Sequence, residues 1–89
     1  MTVNPGFGGQ RFIPYTLDKV ARARRMLDAA RSGAALEVDG GVARDTIARC
    51  RRAGADTFVA GQAVFGAADP RAEIGVLRDE AERALEAVA

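Results

Sequence analysis

Hydrophobic residues recur along this chain in two rhythms that alternate three times. Short apolar runs occupy Met1 to Val3, Ala35 to Val38 and Thr57 to Ala60, and each leads into a turn containing glycine. After each turn the apolar positions return every three to four residues, the spacing of one helix face. In the first unit Leu17, Val20 and Leu27 share a face, while Asp18, Lys19, Arg22, Arg25 and Asp28 fall mostly on the other. Pro14, whose φ is fixed near the helical value, is placed to open that helix, and Gly33 to end the unit. The second unit turns Ile47 and Cys50 inward and Arg44, Arg49, Arg51 and Arg52 mainly outward, with Gly54 as its terminator. In the third, Thr57-Phe58-Val59-Ala60 runs into Gly61-Gln62-Ala63-Val64-Phe65. Asp69 and Pro70 then supply an N-cap and a first helical residue for a last helix, buried along Ile74, Leu77, Ala81, Ala84 and Val88.

Val38-Asp39-Gly40 superposes on Val59-Ala60-Gly61 at a spacing of 21 residues (59 minus 38), so strand, glycine turn and helix repeat as a unit. Strands alternating with helices predict a parallel sheet, and parallel sheets take ligands beyond the C-terminal ends of their strands. The glycine turns fall at that end. Periodicity leaves an open doubly wound sheet and a closed barrel as alternatives.

Composition narrows the setting. At 89 residues the chain is enough for at most one small domain. No apolar run approaches the roughly 18 residues of a membrane span, and the start lacks the layout of a signal peptide, so a cytoplasmic protein with no membrane partner is the expectation. Thirteen basic and twelve acidic residues leave a formal charge of +1, too little for a field that would collect nucleic acid. The arginines at 22, 24, 25, 31, 49, 51 and 52 alternate with core positions and read as solvated helix faces. Cys50 has no disulfide partner within the chain and reads as a buried, inert thiol. Histidine is absent, which removes the commonest neutral-pH proton shuttle and metal ligand.

Three features could carry chemistry. Gly40, Gly41 and Gly61 lie in turns that precede helices, where unobstructed backbone N–H groups suit a phosphate dianion; alternatively, the turns need glycine only for positive φ. Asp39 is the sole acid at the C-terminal end of a predicted strand and stands where the matching unit has Ala60. It is a candidate proton donor or acceptor, with a turn residue or a helix N-cap as the other readings. Gly6-Phe7-Gly8-Gly9 has the flexibility of a lid over a ligand, or of a plain loop with a packed aromatic. A Gly-x-Gly-x-x-Gly dinucleotide fingerprint is not met, because the third glycine would fall on Arg11.

Taken together, Met1-Thr2-Val3-Asn4-Pro5-Gly6-Phe7-Gly8-Gly9-Gln10, Glu37-Val38-Asp39-Gly40-Gly41-Val42, Ala53-Gly54-Ala55-Asp56, Val59-Ala60-Gly61 and Ala63-Val64-Phe65 closely resemble the ribulose-phosphate 3-epimerases in order and spacing. Allulose-phosphate 3-epimerases are the nearest related alternative, and the intact Asp39-Gly40-Gly41 argues mildly against them. The resemblance implies an α/β fold, the C-terminal three βα units of a TIM (β/α)8 barrel, with residues 1–89 corresponding to its sixth to eighth strands and their following helices. Met1 coincides with a methionine inside the sixth strand, so the chain is expected to start midway through an element.

The activity implied is the reversible epimerisation of D-ribulose 5-phosphate to D-xylulose 5-phosphate, in the pentose phosphate pathway, by proton transfer at C3 through a cis-enediolate. Asp39 matches one of the family's two catalytic aspartates and is also a metal ligand in that pattern. The substrate loop falls on Gly6, Phe7, Gly8 and Gly9. The phosphate grips fall on Gly40 and Gly41 and on Gly61 with Gln62, where the family usually has serine. The family's cofactor is one divalent ion (Zn, Fe, Mn or Co). Its other aspartate and two metal-binding histidines lie on early strands that this chain does not contain, so the ion is not expected to be held by this chain alone. A homo-oligomer, or association with the missing N-terminal part of the barrel, is the expected assembly around the pentulose 5-phosphate. A non-catalytic phosphate-binding partial barrel needing a complementary chain is the rival reading.

Overall fold

The computed structural model describes residues 1–4, 6 and 11–86, the side chain of residue 86 excepted. Its elements are α1 (Thr16–Ala29), β1 (Glu37–Asp39), α2 (Ile47–Ala53), β2 (Thr57–Val59), α3 (Gly61–Phe65) and α4 (Pro70–Glu86). β1 and β2 pair in parallel, as alternating strands and helices predict, with Glu37 opposite Thr57, Val38 opposite Phe58 and Asp39 opposite Val59. Motif superposition matches Asp39 to Ala60, whereas the sheet sets it beside Val59; the two strands are thus staggered by one residue relative to their motifs.

Each face of this small sheet has its own character because side chains alternate along a strand. Val38 is buried and packs with Val20, Val42, Ile47, Cys50, Leu77 and Ala81, while Phe58 is half-buried against the same cluster. Glu37, Asp39 and Val59, on the other face, are exposed. Cys50 has no accessible surface, and burial pushes its thiol pKa up, in line with the inert role expected of it.

Three expected boundaries moved. Met1 to Val3 is not a strand: Thr2 donates its N–H to the Asp39 carbonyl (2.9 Å) and accepts from Ile13 N–H (2.8 Å), a single link to β1 rather than a ladder. The first helix begins at Thr16, not Pro14; Thr16, Leu17 and Asp18 donate to the carbonyls three residues back, so Pro14 and Tyr15 form a tight lead-in turn. α1 ends before Gly33. Arg31 takes the left-handed conformation (φ 53°), with Arg31 N–H on Asp28 O and Ser32 N–H on Leu27 O, the paired bonds of a Schellman cap. α2 ends in the same pattern, Gly54 N–H on Arg51 O and Ala55 N–H on Cys50 O, but there the left-handed residue is the expected Gly54 (φ 124°).

α4 starts as expected, with Asp69 Oδ1 accepting the Ala72 N–H (3.2 Å) and Pro70 as its first residue. Its buried stripe is Glu73, Leu77, Ala81 and Ala84. Ile74, expected in that stripe, is 39% exposed because it lies one position around the helix from Glu73; Val88 is outside the described residues. Glu73 tolerates the inner face through a two-pronged bond with Arg44, whose Nε and Nη2 reach its two carboxylate oxygens at 2.8 and 2.6 Å. The fork ties the turn before α2 to the first turn of α4. It holds the Glu73 carboxyl below its ordinary pKa, with desolvation opposing.

Two outcomes are expected. Arg31→Gly should raise stability in urea unfolding by up to about 1 kcal/mol, since glycine carries no left-handed penalty. The depressed Glu73 pKa means that its contribution is full above the ordinary value of 4.5 and is lost as pH falls through the folded value. The stability gap between wild type and Glu73→Gln should therefore be widest near neutral pH and narrow on acidification below about pH 4.5.

Candidate functional site

Asp39 closes β1. With Val38 directed into the core, alternation puts the Asp39 carboxylate on the exposed face at the C-terminal end of the sheet. Gly40 and Gly41 follow at φ 126° and 67°, and neither has room for a side chain. A Cβ on Gly40 would stand 2.8 Å from the Val3 backbone nitrogen and closer still to its side chain; one on Gly41 would stand 2.8 Å from the backbone nitrogen of Phe12. Backbone conformation and packing thus suffice to demand glycine at both positions, and both open readings of this turn remain compatible with it.

The same contacts place the residues that flank the glycine-rich segment. Val3 seats on Gly40 and Phe12 on Gly41, and Ile13 N–H bonds the Thr2 carbonyl, so both ends of the stretch between Val3 and Phe12 are held at the Asp39 turn. Gly6 in that stretch has φ 148°. Phe7, Gly8 and Gly9, the rest of the expected substrate loop, lie outside the described residues. Arg49 stacks its guanidinium 5.3 Å from the Phe12 ring centre, bracing the far anchor from α2.

Gly61 and Gln62 open α3 from the end of β2, and Gly41 and Gly61 each lie two residues beyond the Asp39–Val59 pair. Gly61 differs from its counterparts: its φ is not positive, and a Cβ there would meet nothing within 4 Å. Among the described residues, none gives a reason for glycine at that position. Gln62 is exposed.

Two residues that sequence reasoning passed over hold the turn. Thr2 and Thr46 are buried at 1% and 3% exposure. Thr2 donates its N–H to the Asp39 carbonyl and its hydroxyl to the Gly40 carbonyl; Thr46 donates its hydroxyl to the Gly41 carbonyl at 2.7 Å. Threonine just ahead of a helical pattern signals an N-cap, and the available clue was that Thr46 stands five residues beyond Gly41 at such a position.

No three His, Cys, Asp or Glu side chains come together as a metal site among the described residues. Asp39 alone, in a chain without histidine, does not make a donor set for a divalent ion. A cleft of about 550 Å³ opens elsewhere, between β2 and α4, with Phe58, Ile47 and Leu77 at its floor and Arg51, Asp56 and Glu82 at its rim. Neither Asp39 nor any of the three candidate glycines lines it.

Comparison with known proteins settles the ancestry. The Ribulose-phosphate 3 epimerase family matches residues 1–65. The chain belongs to that family. It is 63% identical over 73 residues to ribulose-phosphate 3-epimerase 1 of Cupriavidus necator, covering 78% of this chain and 30% of that protein. It is 53% identical over 81 residues to the ribulose-phosphate 3-epimerase of Mycobacterium tuberculosis H37Rv (91% and 35%), and 51% identical over 80 residues to that of Escherichia coli K12 (90% and 36%). The chain spans about a third of the length of these curated epimerases. No helix among the described residues is long and apolar enough to cross a membrane.

Gly40 and Gly61 should separate in mutagenesis. Gly40→Ala is expected to destabilise the fold by more than about 1 kcal/mol, since the new Cβ meets backbone and φ is unfavourable. Gly61→Ala should leave stability unchanged or raise it by up to about 1 kcal/mol. Urea midpoints of the two variants against wild type measure the contrast.

Proposed function

We propose that this chain supplies the C-terminal part of a ribulose-phosphate 3-epimerase barrel: β1 and β2 as its seventh and eighth strands, residues 1–3 as the segment of the sixth that pairs only in the whole barrel, one acid of the proton-transfer pair, and the phosphate grip. The observation that carries the reading is the placement of Asp39. Its carboxylate stands exposed at the C-terminal end of a parallel strand, followed at once by the glycine pair against which Val3 and Phe12 lie. A ligand held by this turn would have its reacting carbon beside that carboxylate.

The one-residue stagger between β1 and β2 adds support, because closing eight strands with a shear of about eight takes an average offset of one residue per strand. The bare face of Glu37, Asp39 and Val59 would then look into the barrel. Gly61, which no described residue requires to be glycine, supports close approach of a ligand to the β2 turn.

In the proposed reaction Asp39 removes or returns the C3 proton on one side of a pentulose 5-phosphate, alternating between carboxylate and carboxylic acid. Loss of that proton moves its electron pair toward the C2 carbonyl; delivery of a proton to the opposite face inverts C3. The second acid, on the far side of the substrate, comes from outside this chain. Gly40, Gly41, Gly61 and Gln62 hold the phosphate and so keep C3 at a constant distance from Asp39. Among the described residues no donor set for the family's divalent ion forms. That same shortage favours the second reading, a phosphate-binding partial barrel that is silent until complemented.

Exchange of the C3 hydrogen of D-ribulose 5-phosphate with D2O, with divalent metal supplied, tests the division of labour. The chain alone should give none. Addition of the N-terminal two-thirds of a related epimerase should restore it, and Asp39→Asn should abolish the restored exchange. Turnover by the chain alone would refute the need for a complement, and restored exchange surviving Asp39→Asn would remove Asp39 from the chemistry.

A further inference from the structure

We infer that Thr46, with Thr2, is a positioning residue for the Asp39–Gly41 turn, fixing the direction of the amides that face a bound phosphate; the inference rests on the phosphate reading above. Three consecutive carbonyls in this turn are captured by two buried threonines: Asp39 O by the Thr2 N–H, Gly40 O by the Thr2 hydroxyl, and Gly41 O by the Thr46 hydroxyl. A trans peptide is planar, with its N–H antiparallel to its C=O. Holding the Gly40 carbonyl on Thr2 therefore turns the Gly41 N–H away from Thr2. Holding the Gly41 carbonyl on Thr46 turns the Val42 N–H away from Thr46. No described residue accepts a hydrogen bond from either N–H. Successive N–H groups in a glycine turn of positive φ form a concavity suited to an anion, and the threonines set where it faces.

The use made of the Thr46 hydroxyl sets it apart from an ordinary helix cap. Thr46 occupies the N-cap of α2, where threonine commonly accepts a bond from an N–H of the first helical turn, yet it makes no such bond. Its oxygen instead accepts the Ala43 N–H at 2.9 Å while its proton goes to Gly41 at 2.7 Å, with a marginal approach to Ala43 O at 3.4 Å. The helix forgoes its side-chain cap, and the glycine turn gains a fixed carbonyl. Glycines are free to rotate their peptide planes, so a pair at the site would scatter its amides unless something outside the pair restrained them.

The test titrates the 89-residue chain with inorganic phosphate and follows the Gly41 and Val42 amide resonances. Both should shift on binding in the wild type. Thr46→Val, which removes the hydroxyl and keeps the shape, should weaken phosphate roughly fivefold to tenfold among folded molecules, the range one hydrogen bond commands. Thr46→Ser should restore affinity to near wild type, and Thr2→Val against Thr2→Ser should repeat the contrast. A folded Thr46→Val that binds phosphate as wild type does overturns the positioning role while leaving the phosphate reading intact. Absence of any phosphate response at these amides in the wild type overturns the phosphate reading and the inference together. Loss of folding in both valine variants, with both serine variants stable, assigns the hydroxyls to folding and overturns the positioning role.

Discussion

The structure depends on a close approach of backbones at Gly40 and Gly41. Val3 and Phe12 lie against these two residues where a methyl group would already collide with main-chain atoms. That contact brings the N-terminal segment to the end of β1 and lets Thr2 bond the Asp39 and Gly40 carbonyls. It also seats Phe12 in the core beside Val42 and Val38. A larger residue at either glycine would separate the segment from the sheet, exposing Thr2, Val3 and Phe12 together. Glycine here is first a packing requirement, and any use of the turn for binding is built on that geometry.

The rest of the chain is arranged to hold the sheet still. From α1, Arg24 reaches the Gly54 carbonyl and the Asp56 carboxylate, joining the first helix to the connection between α2 and β2. Asp56 in turn accepts the Leu36 N–H and the Thr57 hydroxyl, which aligns the starts of the two strands and holds its own carboxyl below the usual range. From the other side the Arg44–Glu73 fork fastens the stretch after the glycine pair to α4. Charged groups therefore brace both ends of the sheet, while the core between them is mostly aliphatic, with Phe12 and Cys50 among its members. The exposed arginines at 22, 25, 49 and 52 remain on helix faces, as their spacing requires.

Much of this was legible in the residues. The βα order, the buried positions Val20, Ile47, Cys50, Leu77 and Ala81, the Asp69 cap and the Gly54 terminator all follow from periodicity and local conformational preference. Asp39 could be placed at a strand end because the residues around it have no competing pattern. The failures have two causes. Ile74 was expected inside because it is apolar, but α4 turns Glu73 inward once Arg44 is there to meet it; that partner is 29 residues away in sequence. Gly33 was expected as a terminator because it is glycine, but the helix register delivered the left-handed position to Arg31.

The sequence by itself determined the order of two strands and the helices around them, which residues carry the family's signature, and that Asp39 is followed by two glycines. These are properties of neighbours along the chain, set by side-chain spacing and by the φ values each residue tolerates. Only the tertiary structure decided that β1 and β2 pair with a one-residue stagger, that Thr2 and Thr46 take the carbonyls of the Asp39 turn, and that glycine is demanded by contact at Gly40 and Gly41 but not at Gly61. Those facts depend on atoms distant in sequence meeting at distances of a few ångströms, and no local pattern encodes such a meeting.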